Sequence, residues 1–468
     1  MKNKQTKIIA TVSDLNCSKA FLKQLYENGV NVIRLNTAHQ TPEATLKIIR
    51  NIREVSDRLS ILIDTKGPEI RTTSAEDNVI LESGKKIMLE YGQTLSDQHS
   101  IKVNHSEFSR EVEKGATILI DDGHIELHVD TIRKGKVFCT IIDGGLLKSR
   151  KGVNVPNARF SLAALTEKDK EYIRFAIEHD IDFIAHSFVR SAKDVLEIQK
   201  RLDRKHSKTK IIAKIENTEG YESLDEILPH VYGIMIARGD LAVEMSPEQI
   251  PVIQKNIIRR SIQWAKPVIV ATQMLESMIE NPRPTRAEVS DVANAILDGA
   301  DAVMLSGETA YGKYPIKAVQ MMSKVAKKVE PSKKAFRKNR NLKWNNPIHE
   351  FFARTAIEAC ADLDIRAIFA VTCSGATARL LSTFRGKVPI YAETFSERVV
   401  RELALVYGVY PHYIKKAKTT DKLVEKASKS TLKKTNLGDT DLVLFVGSTP
   451  GCKSGTDFME IKKVAEIH

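Results

Sequence analysis

Ile211-Ile212-Ala213-Lys214-Ile215-Glu216 is an apolar run closed by two charged residues at alternate positions. A short run rich in Ile reads as a strand buried on both faces. Residues two apart on a strand point the same way, so Lys214 and Glu216 leave together at its carboxyl end. The pattern recurs in residues 7–12, 30–35, 61–64, 181–187, 233–236, 268–271 and 302–305. The polar residues that close those runs are Arg34 and Asn36, Asp64 and Lys66, Ser187, Asp240, Thr272, and the run Ser306-Gly307-Glu308-Thr309. Chance would scatter such residues along the strands. Their collection at one end predicts a (β/α)8 TIM barrel whose carboxyl rim carries the chemistry.

The helices between the strands are legible too. Thr285-Arg286-Ala287-Glu288 is a capping box, Val289, Val292, Ala293, Ile296 and Leu297 follow at helical spacing, and Gly299 is the stop. Between the third and fourth strands the chain is far longer than a barrel connection needs. It alternates in strand fashion over residues 86–90, 117–120, 125–129 and 137–142, punctuated by Asp122-Gly123, Lys134-Gly135 and Asp143-Gly144. These features predict a small inserted β-barrel or sandwich hung over the rim as a lid. After a basic stretch around Lys333 to Lys343, helix and strand alternate again, with strands at residues 367–372, 388–392, 409–414 and 441–446. That pattern predicts an open α/β unit. The expected division is residues 1–70 and 158–330 for the barrel, 71–157 for the lid, 331–346 for a linker and 347–468 for a C-terminal α/β regulatory unit.

At 468 residues with 42% hydrophobic content, the chain can fill several cores. Cys17, Cys139, Cys360, Cys373 and Cys452 are odd in number and form no C-x-x-C pair, which argues against a disulfide framework and a zinc site. Met1-Lys2-Asn3-Lys4-Gln5-Thr6-Lys7 leads into the first strand without an apolar signal region, and no run approaches membrane-spanning length. The expectation is a cytoplasmic protein that neither enters a membrane nor is exported. The net charge of +13 comes with no nucleic-acid motif and no basic stripe interleaved with aromatics, so small anionic ligands are expected rather than nucleic acid. The Lys333 to Lys343 stretch reads as a solvated linker or helix.

Lys214 beside Glu216 could be a plain ion pair. That reading weakens when Asp240, in Ala237-Arg238-Gly239-Asp240, arrives from the next strand end. Two carboxylates from neighbouring strand ends make a hard-oxygen site suited to Mg²⁺, which takes one or two carboxylates plus ligand oxygens. A lysine next to such a site points to charge developing on oxygen.

Several segments together resemble the motifs of the pyruvate kinase family. They are Ile212 to Asn217, Ala237 to Leu241, Ala271-Thr272-Gln273-Met274-Leu275-Glu276-Ser277-Met278, Pro284 to Val289, Leu305 to Thr309, Asp64-Thr65-Lys66-Gly67-Pro68-Glu69-Ile70-Arg71, and Lys151-Gly152-Val153-Asn154. They run in the right order over essentially the whole chain. The resemblance implies phosphoryl transfer from phosphoenolpyruvate to ADP, giving pyruvate and ATP, in a homotetramer. It implies Glu216 and Asp240 as ligands of Mg²⁺ (or Mn²⁺), with the backbone around Gly239 and Asp240 and the Thr272 hydroxyl receiving the substrate carboxylate and Ser187 lining the same site. It implies Arg34 as the clamp on the moving phosphoryl group and Lys214 as the charge that neutralises the enolate oxygen. Asn36, His39, Arg71 and Lys151 correspond to nucleotide-phosphate contacts, although His39, Arg71 and Lys151 also read as ordinary surface cations.

The chain departs from the family pattern in places. Ser13-Asp14 stands where Gly-Pro is usual at the end of the first strand, which puts nucleotide preference in question. Ala38 replaces a serine that helps coordinate K⁺, leaving Asn36, Asp64 and the Thr65 carbonyl, while Glu69 is the residue of K⁺-using members. The expectation is a retained but weakened K⁺ site. In the last unit, Val371-Thr372-Cys373-Ser374-Gly375-Ala376-Thr377 leaves a strand and opens a helix, resembling the family's sugar-phosphate effector pocket. Thr372, Ser374, Gly375 and Thr377 would contact the phosphate, with Lys453 as counter-charge. A helix cap and a turn explain these loops equally well. Two other readings stand beside the kinase: a non-catalytic sugar-phosphate-binding or scaffold protein on this fold, favoured by Ser13, Asp14 and Ala38, and a different phosphoenolpyruvate enzyme such as a barrel lyase or swivelling phosphotransferase. The Lys151 segment and the absence of a phosphohistidine carrier argue against the last.

Overall fold

The Ile/Val runs bury both faces by closing on themselves. The computed structural model describes residues 4–38, 40–333, 342–432, 435, 437–448 and 455–467, with the side chains of 429–431 not described. Eight parallel strands, Lys7–Thr11, Val32–Asn36, Ser60–Asp64, Phe183–His186, Lys210–Ile215, Gly233–Ala237, Val268–Ala271 and Ala302–Leu305, pair in chain order, and the eighth closes on the first. Strand alternation sorts their side chains. Ile9, Val32, Leu62, Phe183, Ile212, Met235, Ile269 and Met304 fill the interior, while Ile8, Ile33, Ile63, Ile184, Ala213, Ile234, Val270 and Val303 pack against the helices. Counting on by two from the interior set brings Thr11, Arg34, Asp64 and Lys214 to the mouth of the barrel.

Several strand ends differ from the sequence reading by one or two residues, and two of the shifts have a visible cause. The second begins at Val32 rather than Val30, because Gly29 turns the chain at φ +107° and the Val30 N–H returns to the Leu25 carbonyl at 3.1 Å, closing the preceding helix. The fourth stops before Ser187, whose N–H bonds to the Thr65 hydroxyl at 3.0 Å instead of continuing the ladder. The capping-box helix spans Arg286–Asp298 and ends on Gly299 at φ +113°.

Between the third and fourth barrel strands, six strands form one sheet with its own core of Ile87, Leu89, Ile101, Ile118, Leu127 and Val137. Ile125–Arg133 and Lys136–Asp143 are its central hairpin, turned by Lys134 and Gly135, both at positive φ. At Gly144 a side chain is excluded for a different reason: a Cβ would sit 2.1 Å from the Leu81 carbonyl oxygen.

The last unit is a five-stranded sheet. Four strands are parallel, and Phe458–Lys463 is added antiparallel to Leu442–Gly447 at one edge. This unit seals the amino end of the barrel. Leu405 inserts into the interior cluster, Arg401 reaches Asp182 at 2.6 Å, and Arg385 reaches Asp301 at 2.6 Å.

Candidate active site

The rim is organised around Lys214. Its ammonium is buried and lies 2.9 Å from Glu216 Oε1, 3.0 Å from Asp64 Oδ1 and 2.7 Å from the Ser187 hydroxyl. Arg34 Nε donates to Asp64 Oδ2 at 2.7 Å, and its Nη1 donates to the Thr11 hydroxyl at 3.0 Å. Five strands thus contribute to one hydrogen-bonded network. Burial works against the ammonium of Lys214, but Asp64 and Glu216 outweigh it and hold its pKa above the ordinary range. Burial likewise opposes ionisation of Asp64, yet Lys214 and Arg34 hold that carboxyl below the usual carboxylate range.

The Glu216 and Asp240 pair behaves in the opposite way. Burial, with Asp240 close by, raises Glu216, and burial raises Asp240, which hydrogen-bonds to Glu216. Burial therefore makes it costly for both acids to be ionised at once, and they share a hydrogen bond instead. A divalent cation on these hard oxygen donors would offset that cost. Among the described residues no group of three or more His, Cys, Asp or Glu gathers as a metal cluster.

Thr272 caps the seventh strand at φ +64° with Gln273 at φ +52°. A β-branched residue in the left-handed region costs roughly 1–3 kcal/mol and must be held there by its surroundings. Its hydroxyl accepts the Gly239 N–H at 2.9 Å and donates to the Ala271 carbonyl at 2.7 Å. Arg238 completes the hold: its Nη2 donates to the Thr272 carbonyl at 2.8 Å and its Nη1 to Asp291 Oδ1 at 2.7 Å. Replacing Arg238 by Leu should release this turn and lower kcat by about 100-fold, the scale of a 1 Å misplacement. A coupled pyruvate assay measures it, and kcat within threefold of the parent would show that the turn holds itself.

A cavity of about 500 Å³ lies between the rim and the inserted sheet. Asp240, Asn217 and Phe188 line its floor, and Arg71 and Lys151 line its roof. Both roof cations are already paired. Lys151 lies 2.7 Å from Asp121, and Arg71 lies 2.5 Å from Glu69 and donates to the Arg150 carbonyl at 2.8 Å. Asn154 Nδ2, donating to Glu244 Oε1 at 3.3 Å, joins the inserted sheet to the barrel.

The remaining candidates are distributed as follows. Asn36 is paired in register with Asp64, and its Oδ1 accepts the Ala38 N–H at 3.2 Å. The Thr65 carbonyl accepts the Ser187 hydroxyl at 2.7 Å. Ser13 donates to the Ala310 carbonyl at 2.6 Å, so it fastens the first strand to the turn after the eighth; Asp14 is exposed. Far from the rim, Thr372 Oγ1 accepts the Gly375 N–H at 3.0 Å, and the Thr377 and Thr456 hydroxyls meet at 2.9 Å. Gly375 sits at φ +77°, with Leu403 2.9 Å from where a Cβ would be. His39 and Lys453 lie outside the described residues.

Several contributors escaped the sequence reading. Thr11 orients Arg34. The Phe188 N–H, presented from φ +54°, donates to Glu216 Oε2 at 2.6 Å. Buried Glu308 accepts the Leu275 N–H at 3.0 Å and the Ser306 N–H at 2.7 Å, tying the ends of strands seven and eight. Glu288, beyond closing its capping box, accepts the Ser277 N–H at 2.7 Å. Arg238 and Glu308 both lie inside quoted motifs, so position pointed to them; only the fold reveals what they hold.

The description "Pyruvate kinase, barrel domain" matches residues 3–319, and "Pyruvate kinase, alpha/beta domain" matches residues 350–462. A pyruvate kinase of Borreliella burgdorferi is 45% identical over 471 aligned residues, covering 100% of this chain and 98% of that protein. One from Geobacillus stearothermophilus is 43% identical and covers 100% of this chain and 81% of the relative. The crystal structure of a pyruvate kinase from Cryptosporidium parvum superposes with a TM-score of 0.92 at 33% identity, covering 98% of this chain and 96% of that one. Sequence and architecture thus agree along nearly the whole length, and the chain belongs to the pyruvate kinase family.

Proposed function

We propose that this rim transfers the phosphoryl group of phosphoenolpyruvate to ADP, giving pyruvate and ATP, as a cytoplasmic glycolytic kinase. The observation that carries the reading is the Lys214 ammonium, buried within 3.0 Å of two carboxylates and facing the mouth of the barrel. Arg34 and Lys214 flank the transferring group. Phosphoryl transfer needs positioned positive charge rather than covalent chemistry from the protein, and Asp64 fixes both cations for it. The backbone around Gly239 and Asp240 and the Thr272 hydroxyl receive the substrate carboxylate, with that hydroxyl as the adjustable contact because it already exchanges hydrogen bonds with Gly239 and Ala271.

Mg²⁺ (or Mn²⁺) held by Glu216 and Asp240 supplies, when bound, neutralisation of the phosphoryl oxygens. The closeness of these two buried hard-oxygen acids, neither of which ionises easily without a nearby cation, supports the assignment. The enolate left after transfer takes a proton on carbon, and Thr272 orients the water that delivers it. The inserted sheet acts as a lid: Lys151 and Arg71, with Asn36 and His39, meet the nucleotide phosphates, and for that Lys151 exchanges Asp121, and Arg71 exchanges Glu69, for phosphate oxygens. Closure keeps water from taking the phosphoryl group.

A lactate-dehydrogenase-coupled assay tests the reading. Phosphoenolpyruvate-dependent pyruvate formation with Mg²⁺, ADP and K⁺ is the expected result, and its complete absence would favour a non-catalytic phosphate-binding protein. The K⁺ site of Asn36, Asp64 and the Thr65 carbonyl is a weak one, because these oxygens already accept from Ala38, Arg34, Lys214 and Ser187. Omitting K⁺ should lower turnover at saturating substrate by about tenfold, equivalent to about 1.4 kcal/mol. Equal turnover with and without K⁺ would remove the site. Thr372, Ser374, Gly375, Thr377 and Lys453 form the sugar-phosphate effector site of a homotetramer.

A further inference from the structure

At the end of the barrel opposite the rim, a cavity of about 280 Å³ opens between the amino ends of strands five to seven and the C-terminal unit. Its charge is one-sided. Lys208, Lys210, His230, Lys266 and Arg379 line it, and no Asp or Glu is among its described lining residues. Lys266 donates to the Val231 carbonyl at 2.6 Å, and burial, with Arg379 nearby, lowers its pKa to about 8. The Arg379 guanidinium lies 5.2 Å from the Tyr232 ring centroid, and its Nη1 donates to the Ser374 carbonyl at 3.2 Å. Among the described residues neither Lys266 nor Arg379 has a carboxylate partner. The acid facing Arg379 is Glu402, already engaged by Lys210 at 3.8 Å and Arg398 at 3.4 Å.

Aromatic rings complete the wall. The chain has two tryptophans, and both Trp264 and Trp344 line this cavity, with Tyr232. Trp264 is held in place by Nε1 donating to Asp225 at 3.4 Å and by the Lys343 ammonium 5.1 Å from its ring.

We propose that this cavity binds a small aromatic oxyanion, a planar ring bearing one phosphate or carboxylate. Lys266 and Arg379 repel each other with no carboxylate among the described residues in direct contact with either, and a shared oxyanion relieves that repulsion through charge-assisted hydrogen bonds. Trp264, Trp344 and Tyr232 give the wall aromatic surface against which a planar ring can pack. Arg379 belongs to helix Ala376–Thr383 and also holds Ser374 of the loop before it, so the bound anion ties that loop to the base of the barrel.

Because both tryptophans face the cavity, tryptophan fluorescence of the full-length protein reports on it directly. Phenyl phosphate and benzoate are expected to change the emission saturably, which of the two binds more tightly distinguishing phosphate from carboxylate recognition. Inorganic phosphate should bind more than about tenfold more weakly, for want of the ring. Lys266→Met and Arg379→Gln should each weaken phenyl phosphate by about tenfold or more, and Arg379→Gln, on a half-buried helix face, keeps the test valid if Lys266→Met does not fold. Thr377→Val, in the effector loop, should leave the titration unchanged. No saturable change with either probe, or a change that survives Arg379→Gln but disappears in Thr377→Val, would overturn the site. Equal affinity for inorganic phosphate would overturn the recognition of the ring.

Discussion

Replacing Lys214 by Met is expected to lower kcat by roughly 10³–10⁵-fold, the range lost when a cation that neutralises a transferring phosphoryl group is removed. The expectation rests on placement. The ammonium sits between Asp64 and Glu216, so it bridges the Arg34 side of the rim and the Glu216–Asp240 side, where the proposed reaction would place the transferring group. Methionine keeps the length of the side chain and removes the charge. It also leaves two buried carboxylates without their shared partner, a change that can cost about 3–5 kcal/mol of stability. Activity must therefore be read beside a melting curve and beside Mn²⁺ binding by electron paramagnetic resonance. A folded variant that still binds Mn²⁺ but has lost phosphoryl transfer gives Lys214 the electrostatic role. Turnover within tenfold of the parent would show that the charge acts elsewhere.

The rim was legible because barrel geometry converts spacing into position. Once eight strands are found, the residue two beyond an interior hydrophobe faces the mouth of the barrel, and Arg34, Asp64 and Lys214 follow from Val32, Leu62 and Ile212 without further information. What stayed hidden has a common cause: it depends on partners distant in sequence. Thr11 looks like the last residue of a strand until Arg34 is placed beside it in register. Ser13 reads as a lost Gly-Pro until its hydroxyl is seen on the Ala310 carbonyl. The φ of Phe188 is not written in a bulky residue, and the Glu216 carboxylate that takes its N–H lies on the next strand. The edge strand Phe458–Lys463 was missed for a related reason. It carries polar side chains at an exposed sheet edge, and only its ladder with Leu442–Gly447 identifies it. Ile80–Leu81, which pairs only with Gly145–Leu146, and Val153–Asn154, at the edge of the inserted sheet, are too brief for any periodicity to register.

The opposite end of the barrel should fail in a different way. Asp182 is fully buried at the entry to the fourth strand, where its carboxylate accepts Arg401 Nε at 2.6 Å, Arg53 Nη2 at 2.9 Å and the Ile61 N–H at 2.9 Å. Arg401 comes from the C-terminal unit, Arg53 from a barrel helix and Ile61 from the third strand, so one side chain joins three separate parts of the molecule. Alanine there would leave two guanidinium groups and a buried N–H without their acceptor, at an expected cost of about 3–5 kcal/mol. The melting temperature should fall by roughly 10 °C, at 2–4 °C per kcal/mol for a unit of this size. Turnover measured well below the transition should stay within about twofold of the parent, because groups at the amino end of a barrel act on stability whereas chemistry sits at the carboxyl end. A melting temperature within 2 °C of the parent would mean that the barrel base does not depend on this junction. A large loss of kcat in a fully folded Asp182→Ala protein would mean that the C-terminal unit reaches the rim through it, and the division between a stabilising base and a reactive mouth would have to be abandoned.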